Sequence, residues 1–273
     1  MPIFFVKVFF ILLCCFEVLA KEALPKYELG IGIGALYLPD YPAAEENSTY
    51  LIPFPFFIYR GDWLEADRND GIRSKLFSSA SLELNMSFGG GFPVDSSKNS
   101  ARQDMPDLGW MYQFGPSLIY RLSLESSDLN WSFHLPVRFV GSTDGSHTEE
   151  QGILLNPKIQ LQRRLACKYS CQLEFILGGN FATQKLNQYF YSVEEDFVTS
   201  ERSAYNANAG FLSSYLSMRF LTHYRKNRWG LTFTYADYSL SANSDSPLFK
   251  ANVSRSFSIF YARDLWKSKS LSN

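Results

Sequence analysis

Histidine is scarce in this 273-residue sequence: there are three, His134, His147 and His223. They sit apart, and none lies in a serine-nucleophile motif, so no Ser-His-acid set can be assembled from the sequence. Cysteine numbers four, and two of them, Cys14 and Cys15, fall in the apolar leader. Beyond residue 20 there is no apolar run of the ~20 residues that a membrane-crossing helix needs. Net charge of one sign is also missing: the balance is −1, which gives no basis for a nucleic-acid partner. No G-K-[ST] element opens a phosphate loop. Gly30, Gly32 and Gly34 fail the dinucleotide spacing as well, because they alternate strictly with Leu29, Ile31, Ile33 and Ala35. A period of two is a strand period, and Pro39 and Pro42 stop the segment before any helix could follow. Neither a catalytic nor a metal set emerges, and no cofactor is implied. The acidic pairs Glu149-Glu150 and Glu194-Glu195 read as solvated loop charge, with loop-bound cations as the alternative.

What is present is aromatic. Phe and Tyr number 24 and 16, and aromatics make up 16% of the chain. Residues 1–20 are short, strongly apolar and end Val18-Leu19-Ala20, which reads as a signal peptide, with an uncleaved membrane helix as the rival. That places the remaining chain in an oxidising compartment. Cys167 and Cys171 are then candidates for a disulfide across a tight turn; free thiols and a metal site stay open as alternatives. The domain reading is a signal peptide over 1–20, a β-barrel over 21–266 and a polar tail over 267–273.

The barrel rests on alternation. "YQFGPSLIYRL" sets Tyr112, Phe114, Leu118, Tyr120 and Leu122 against Gln113, Gly115, Ser117 and Arg121. The same pattern recurs in segments of about ten residues, the length a tilted strand needs to cross lipid. Connections alternate between long and short, as in outer-membrane barrels. The pattern predicts an all-β, antiparallel transmembrane barrel with both termini at the periplasmic end. Twelve strands are expected, over 27–38, 50–60, 62–68, 71–77, 80–90, 111–122, 129–140, 151–164, 170–182, 209–222, 228–239 and 254–266. Residues 62–77 must supply two of these, turning at Asn69-Asp70-Gly71; if they do not, the count is ten. Segment 50–60 is apolar on both faces and holds Pro53 and Pro55, so it is not a clean strand pattern. In this register Trp63, Trp131, Trp229 and Trp266 form an aromatic girdle at the periplasmic end, with Trp110 at the other. Glu83, Arg121, His134, Arg138, Lys158, Arg164, Glu174 and Arg219 point inward as a lumenal charge cluster. They form either a salt-bridged plug or the lining of a narrow, mildly anion-preferring pore.

The opening strand with Pro39-Asp40-Tyr41, the stretch "LIPFPFFIYRGDWL" and the late Asp245-Ser246-Pro247-Leu248 together resemble the MipA/OmpV family of Gram-negative outer-membrane proteins, collinearly over 27–266. The ending departs from it: Phe257, Ile259, Tyr261 and Leu265 share one phase, and Trp266 falls in the other. The resemblance implies the outer membrane as location, with the lipid bilayer and lipopolysaccharide as surroundings. It further implies a non-enzymatic scaffold that brings together a lytic transglycosylase and a murein synthase. A diffusion pore and an adhesin using loops 91–110 and 183–207 are the alternatives, and an enzyme is a distant fourth.

Overall fold

The computed structural model describes residues 25–60, 64–67, 71–74, 77–79, 81–123, 129–167 and 169–269. The expected signal peptide, Trp63, the turn residues Asn69-Asp70 and the last four residues of the tail lie outside these. Among the described residues no helix is long and apolar enough to cross a membrane.

The chain forms fourteen strand segments in one antiparallel sheet. They are β1 Tyr27–Pro39, β2 Asn47–Arg60, β3 Leu64–Asp67, β4 Gly71–Ser74, β5 Phe77–Ser78, β6 Leu82–Gly91 and β7 Trp110–Ser123. There follow β8 Leu129–Thr143, β9 Thr148–Leu155, β10 Lys158–Leu165, β11 Ser170–Ala182, β12 Gly210–Tyr224, β13 Asn227–Asp237 and β14 Val253–Lys267. A helix, α1 Gln184–Tyr191, lies in the connection before β12. The sheet order is β4-β3-β2-β1-β14-β13-β12-β11-β10-β8-β7-β6-β5. Its two ends, β4 and β5, are separated in the chain by residues 75–76 alone, and β4 lies beside β6. The sheet therefore returns on itself as a barrel, sealed where first and last strands pair from Glu28–Lys267 to Tyr37–Phe257. Segments β9 and β10 continue one another: both pair β8 on one side and β11 on the other. Pro157 interrupts the ladder between them, and the Asn156 amide fills in by donating to Gly179 O and Asn180 Oδ1.

Burial is inverted relative to a water-soluble sheet. On β1 the side chains of Leu29, Ile31 and Ile33 are 44, 57 and 45% exposed, while Glu28 is 2% exposed. The carboxylates of Glu174 and Asp264 are likewise inside. An apolar outer face and a polar inner one are what a barrel shows when its outside meets hydrocarbon.

The strand that looked unclean, β2, is continuous over Asn47–Arg60. Its inner face is aromatic for a local reason. A Cβ built on Gly30 would lie 2.4 Å from the Phe56 ring and 2.2 Å from Arg263 O, and one on Gly32 would lie 2.6 Å from the Phe54 ring. The alternating glycines are thus the floor on which two phenylalanines of the next strand lie. Pro53 and Pro55 are two apart, so their missing N–H groups face one edge. Among the described residues β3 pairs β2 at Tyr59 and Arg60, beyond both prolines.

The ending also acquires a cause. Leu29 pairs Trp266 but Gly30 pairs Asp264, so Leu265 is an extra residue, a β-bulge. The bulge resets the phase: Asp264 is buried, and Leu265 and Trp266 are both exposed, at 54 and 55%. The out-of-phase tryptophan therefore rejoins the apolar exterior.

Because the clash at Gly30 involves backbone, Gly30→Ala should destabilise the barrel by about 1–3 kcal/mol. Gly34, whose nearest neighbour would be 3.7 Å away, should tolerate alanine within roughly 0.5 kcal/mol. Urea unfolding of the refolded protein in detergent checks both; equal effects would remove the packing role given to Gly30.

Candidate functional site

Three layers follow one another along the barrel axis. The first is the end where the short turns, the start of β1 and the end of β14 lie. Here Arg228 of β13 donates through Nε to Asp264 Oδ1 at 2.6 Å and through Nη2 to Asp264 Oδ2 at 3.2 Å, and also reaches Glu28 of β1. Lys267 Nζ lies 2.8 Å from Asp264 Oδ2 and 3.4 Å from Glu28 Oε2. His223, expected in a turn, instead belongs to β12 and sits 3.2 Å from the same Asp264 oxygen. Two buried carboxylates, from the first and last strands, are thus shared among side chains of β12, β13 and β14, which ties the first strand to the last. Composition gave no hint of it, since Glu28 and Arg228 are 200 residues apart.

The second layer is the middle of the lumen. Arg121 Nη2 meets Glu83 Oε2 at 2.5 Å, and Arg219 Nη1 meets Glu174 Oε2 at 3.1 Å. His134 is buried, with Nε2 2.8 Å from Ser132 Oγ. Lys158 stands opposite it on β10. Arg138 donates to Ser87 Oγ at 2.9 Å and Gln113 Oε1 at 3.3 Å. Arg164 shares their strand phase but lies exposed at the strand end, outside the paired set, because the wall stops beyond Leu165. The lumen is not packed solid: the inward side chains of Arg121 and Arg219 remain 42 and 27% exposed. The serine–histidine contact does not make an acyl-transfer site by itself. Such a site needs oxyanion donors, and the backbone at Ser132 and His134 is committed to ladders with β7 and β10. Among the described residues no group of three or more metal-ligating side chains occurs.

The third layer is a cap, and it was invisible to periodicity. The long connections fold together over one mouth into the dry core of the molecule, including Tyr41, Val94, Leu108, Leu186, Tyr191 and Leu248. α1 contributes Leu186, Phe190 and Tyr191 from one face. Two stretches that looked like family signatures meet here: the Tyr41 hydroxyl donates to Leu248 O at 2.8 Å, across 207 positions. Tyr191 OH donates to Pro42 O, and Ser246 Oγ to Tyr191 O. Arg102, buried, spends its N–H groups on Pro106 O, Phe190 O and Ser96 Oγ. Arg202 holds Phe197 O, Ala101 O and Gln103 O. Loops 91–110 and 183–207 are therefore bound to one another rather than free.

A family profile described as MltA-interacting protein MipA matches residues 31–263, spanning both cap motifs and every strand from β1 to β14. The chain belongs to the MipA family. No curated protein matches it. Among solved structures it is similar to a bacterial polysaccharide outer membrane secretin, with TM-score 0.45, 7% identity, and coverage of 91% of this chain and 100% of that one. A CymD monoaromatic hydrocarbon channel aligns with TM-score 0.34 at 11% identity, covering 90% of each chain.

Of the expected girdle, Trp131, Trp229 and Trp266 lie exposed at the turn end and Trp110 at the cap end. Cys167 and Cys171 are joined by a disulfide between β10 and β11, with Cα atoms 6.2 Å apart.

Burial raises the Tyr41 phenol above its ordinary 10.0, against the opposing pull of Arg102, and burial raises Tyr191 as well. A folded-state pKa above the unfolded value means the neutral phenol is favoured in the native cap. That stability is complete below the unfolded value of ~10 and is lost progressively as pH rises from there towards the raised folded value. Limited proteolysis between pH 8 and 12 should therefore release the cap segments above pH ~10 while the barrel resists; cap cleavage independent of pH would contradict this.

Proposed function

We propose that this MipA-family barrel stands in the outer membrane as a non-enzymatic scaffold whose working face is its turn end. One observation carries the reading: the cap fills one mouth with packed loops, and among the described residues the opposite rim presents exposed basic side chains. On that rim Arg164, Arg225, Lys226, Arg263 and Lys269 are exposed. The carboxylates in the same sector, Glu28 and Asp264, are buried and already bonded to Arg228 and Lys267. An uncompensated basic sector attracts an acidic surface and speeds encounter with it. With the turns in the periplasm, the partner class consistent with the family description is a lytic transglycosylase, held near a murein synthase. The apolar exterior with its tryptophans takes the bilayer, and the cap faces the lipopolysaccharide side.

The test is co-purification of a lytic transglycosylase with the barrel from solubilised envelope. Replacing Arg164, Arg225 and Lys226 by serine should reduce capture roughly tenfold, and reduce it less in high salt, where the wild type is already screened. Undiminished capture by the triple variant would overturn this docking face. In planar bilayers the capped barrel should be electrically silent; steady conductance would favour the pore instead.

A further inference from the structure

Arg138 differs from the other two arginines in the middle of the lumen. Arg121 is held by Glu83 and Arg219 by Glu174, so both carboxylates of this layer are engaged by other arginines. Glu83 and Glu174 are thus matched one to one by Arg121 and Arg219, and Arg138 adds a further positive charge to the layer. The guanidinium of Arg138 rests on two neutral acceptors, Ser87 Oγ and Gln113 Oε1, and makes no ion pair among the described residues. A guanidinium carries five N–H donors, and these contacts use two.

A second, independent observation lies beside it. Asn85 precedes Ser87 by two positions on the same inner face of β6, opposite Ser117 of β7. It is 1% exposed, and neither its Oδ1 nor its Nδ2 has a hydrogen-bond partner. A buried carboxamide with no partner is costly, so it points to a group that belongs there. Directly above Arg138, Val140 of the same strand is already part of the cap core, so this is the blind end of the lumen.

We infer that Arg138, Asn85, Ser87 and Gln113 form a binding site for a small oxyanion, a carboxylate or phosphate group, beneath the cap. The guanidinium supplies the charge and its three remaining N–H groups, and Asn85 Nδ2 supplies a neutral donor. Gln113 and Ser87 fix the plane of the guanidinium so that its open edge faces the lumen. Entry is from the turn end, whose basic sector raises the local anion concentration. The site does not depend on whether a murein enzyme docks at that rim.

The test uses the whole mature barrel refolded in detergent in low-chloride buffer, titrated calorimetrically with inorganic phosphate and, separately, with succinate. The wild type should bind at least one of them saturably, near one per barrel. Arg138→Gln should weaken this roughly ten- to a hundredfold, and Arg138→Lys should retain part of it. Replacing Arg164 and Arg225 at the rim should leave the endpoint affinity unchanged. A heat-modifiability gel establishes that each variant is folded; should Arg138→Gln fail it, Asn85→Leu serves, with a severalfold loss expected. Absence of saturable binding of both probes to the wild type, or equal affinity in a folded variant at Arg138 or Asn85, overturns the site.

Discussion

Every part of this molecule answers to one requirement: a strand backbone that meets no water must find all its hydrogen bonds within the chain. The β1–β14 ladder meets that requirement by joining the two ends of the sheet. Once closed, the wall has two faces and each residue must choose one. Leucines and aromatics go outward, and carboxylates and guanidiniums go inward, where partners from neighbouring strands hold them. The same requirement explains where proline is allowed. Pro53 and Pro55 are two apart on β2, so both missing N–H groups fall on the same edge of that strand.

The consequence for stability is a division of labour. The barrel has little dry interior, since its inside is polar and partly solvated. The packed apolar core is in the cap, built chiefly from segments that lack strand periodicity and are gathered from four connections. The cap therefore depends on long-range contacts such as Tyr41 to Leu248, whereas the wall depends on ladders between neighbours. At the other end the Glu28–Arg228–Asp264–Lys267 network closes the seam electrostatically.

Much of the wall was legible in the sequence, because alternation is a local property: the phase of Tyr112 to Leu122 reads directly as outside and inside. The failures are equally specific. Strand β2 looked unclean because Phe54 and Phe56 are apolar on the inner face, and the glycines that accept them belong to another strand. Trp266 looked out of phase because a bulge at Leu265 is a feature of pairing, not of composition. His223 was placed in a turn because strand ends are set by partners, and Asp264 is its partner. The cap motifs were noticed as signatures, but their meeting is a fact of three dimensions. Of the lumenal cluster, phase placed Arg121, Arg138, Glu83, Glu174 and Arg219 on the inner wall, while only geometry separates the paired arginines from Arg138 and reveals Asn85 beside it.

The inverted barrel is tested most directly by spin labels placed singly at residues 255–267 of the protein reconstituted in lipid. Accessibility is read to oxygen, which partitions into lipid, and to a water-soluble nickel chelate. The account predicts oxygen maxima at positions 257, 259 and 261, alternating with nickel maxima, and then two consecutive oxygen-exposed positions at 265 and 266 where the bulge resets the phase. Uniform nickel access along β14, or strict alternation running unbroken through 266, would contradict it.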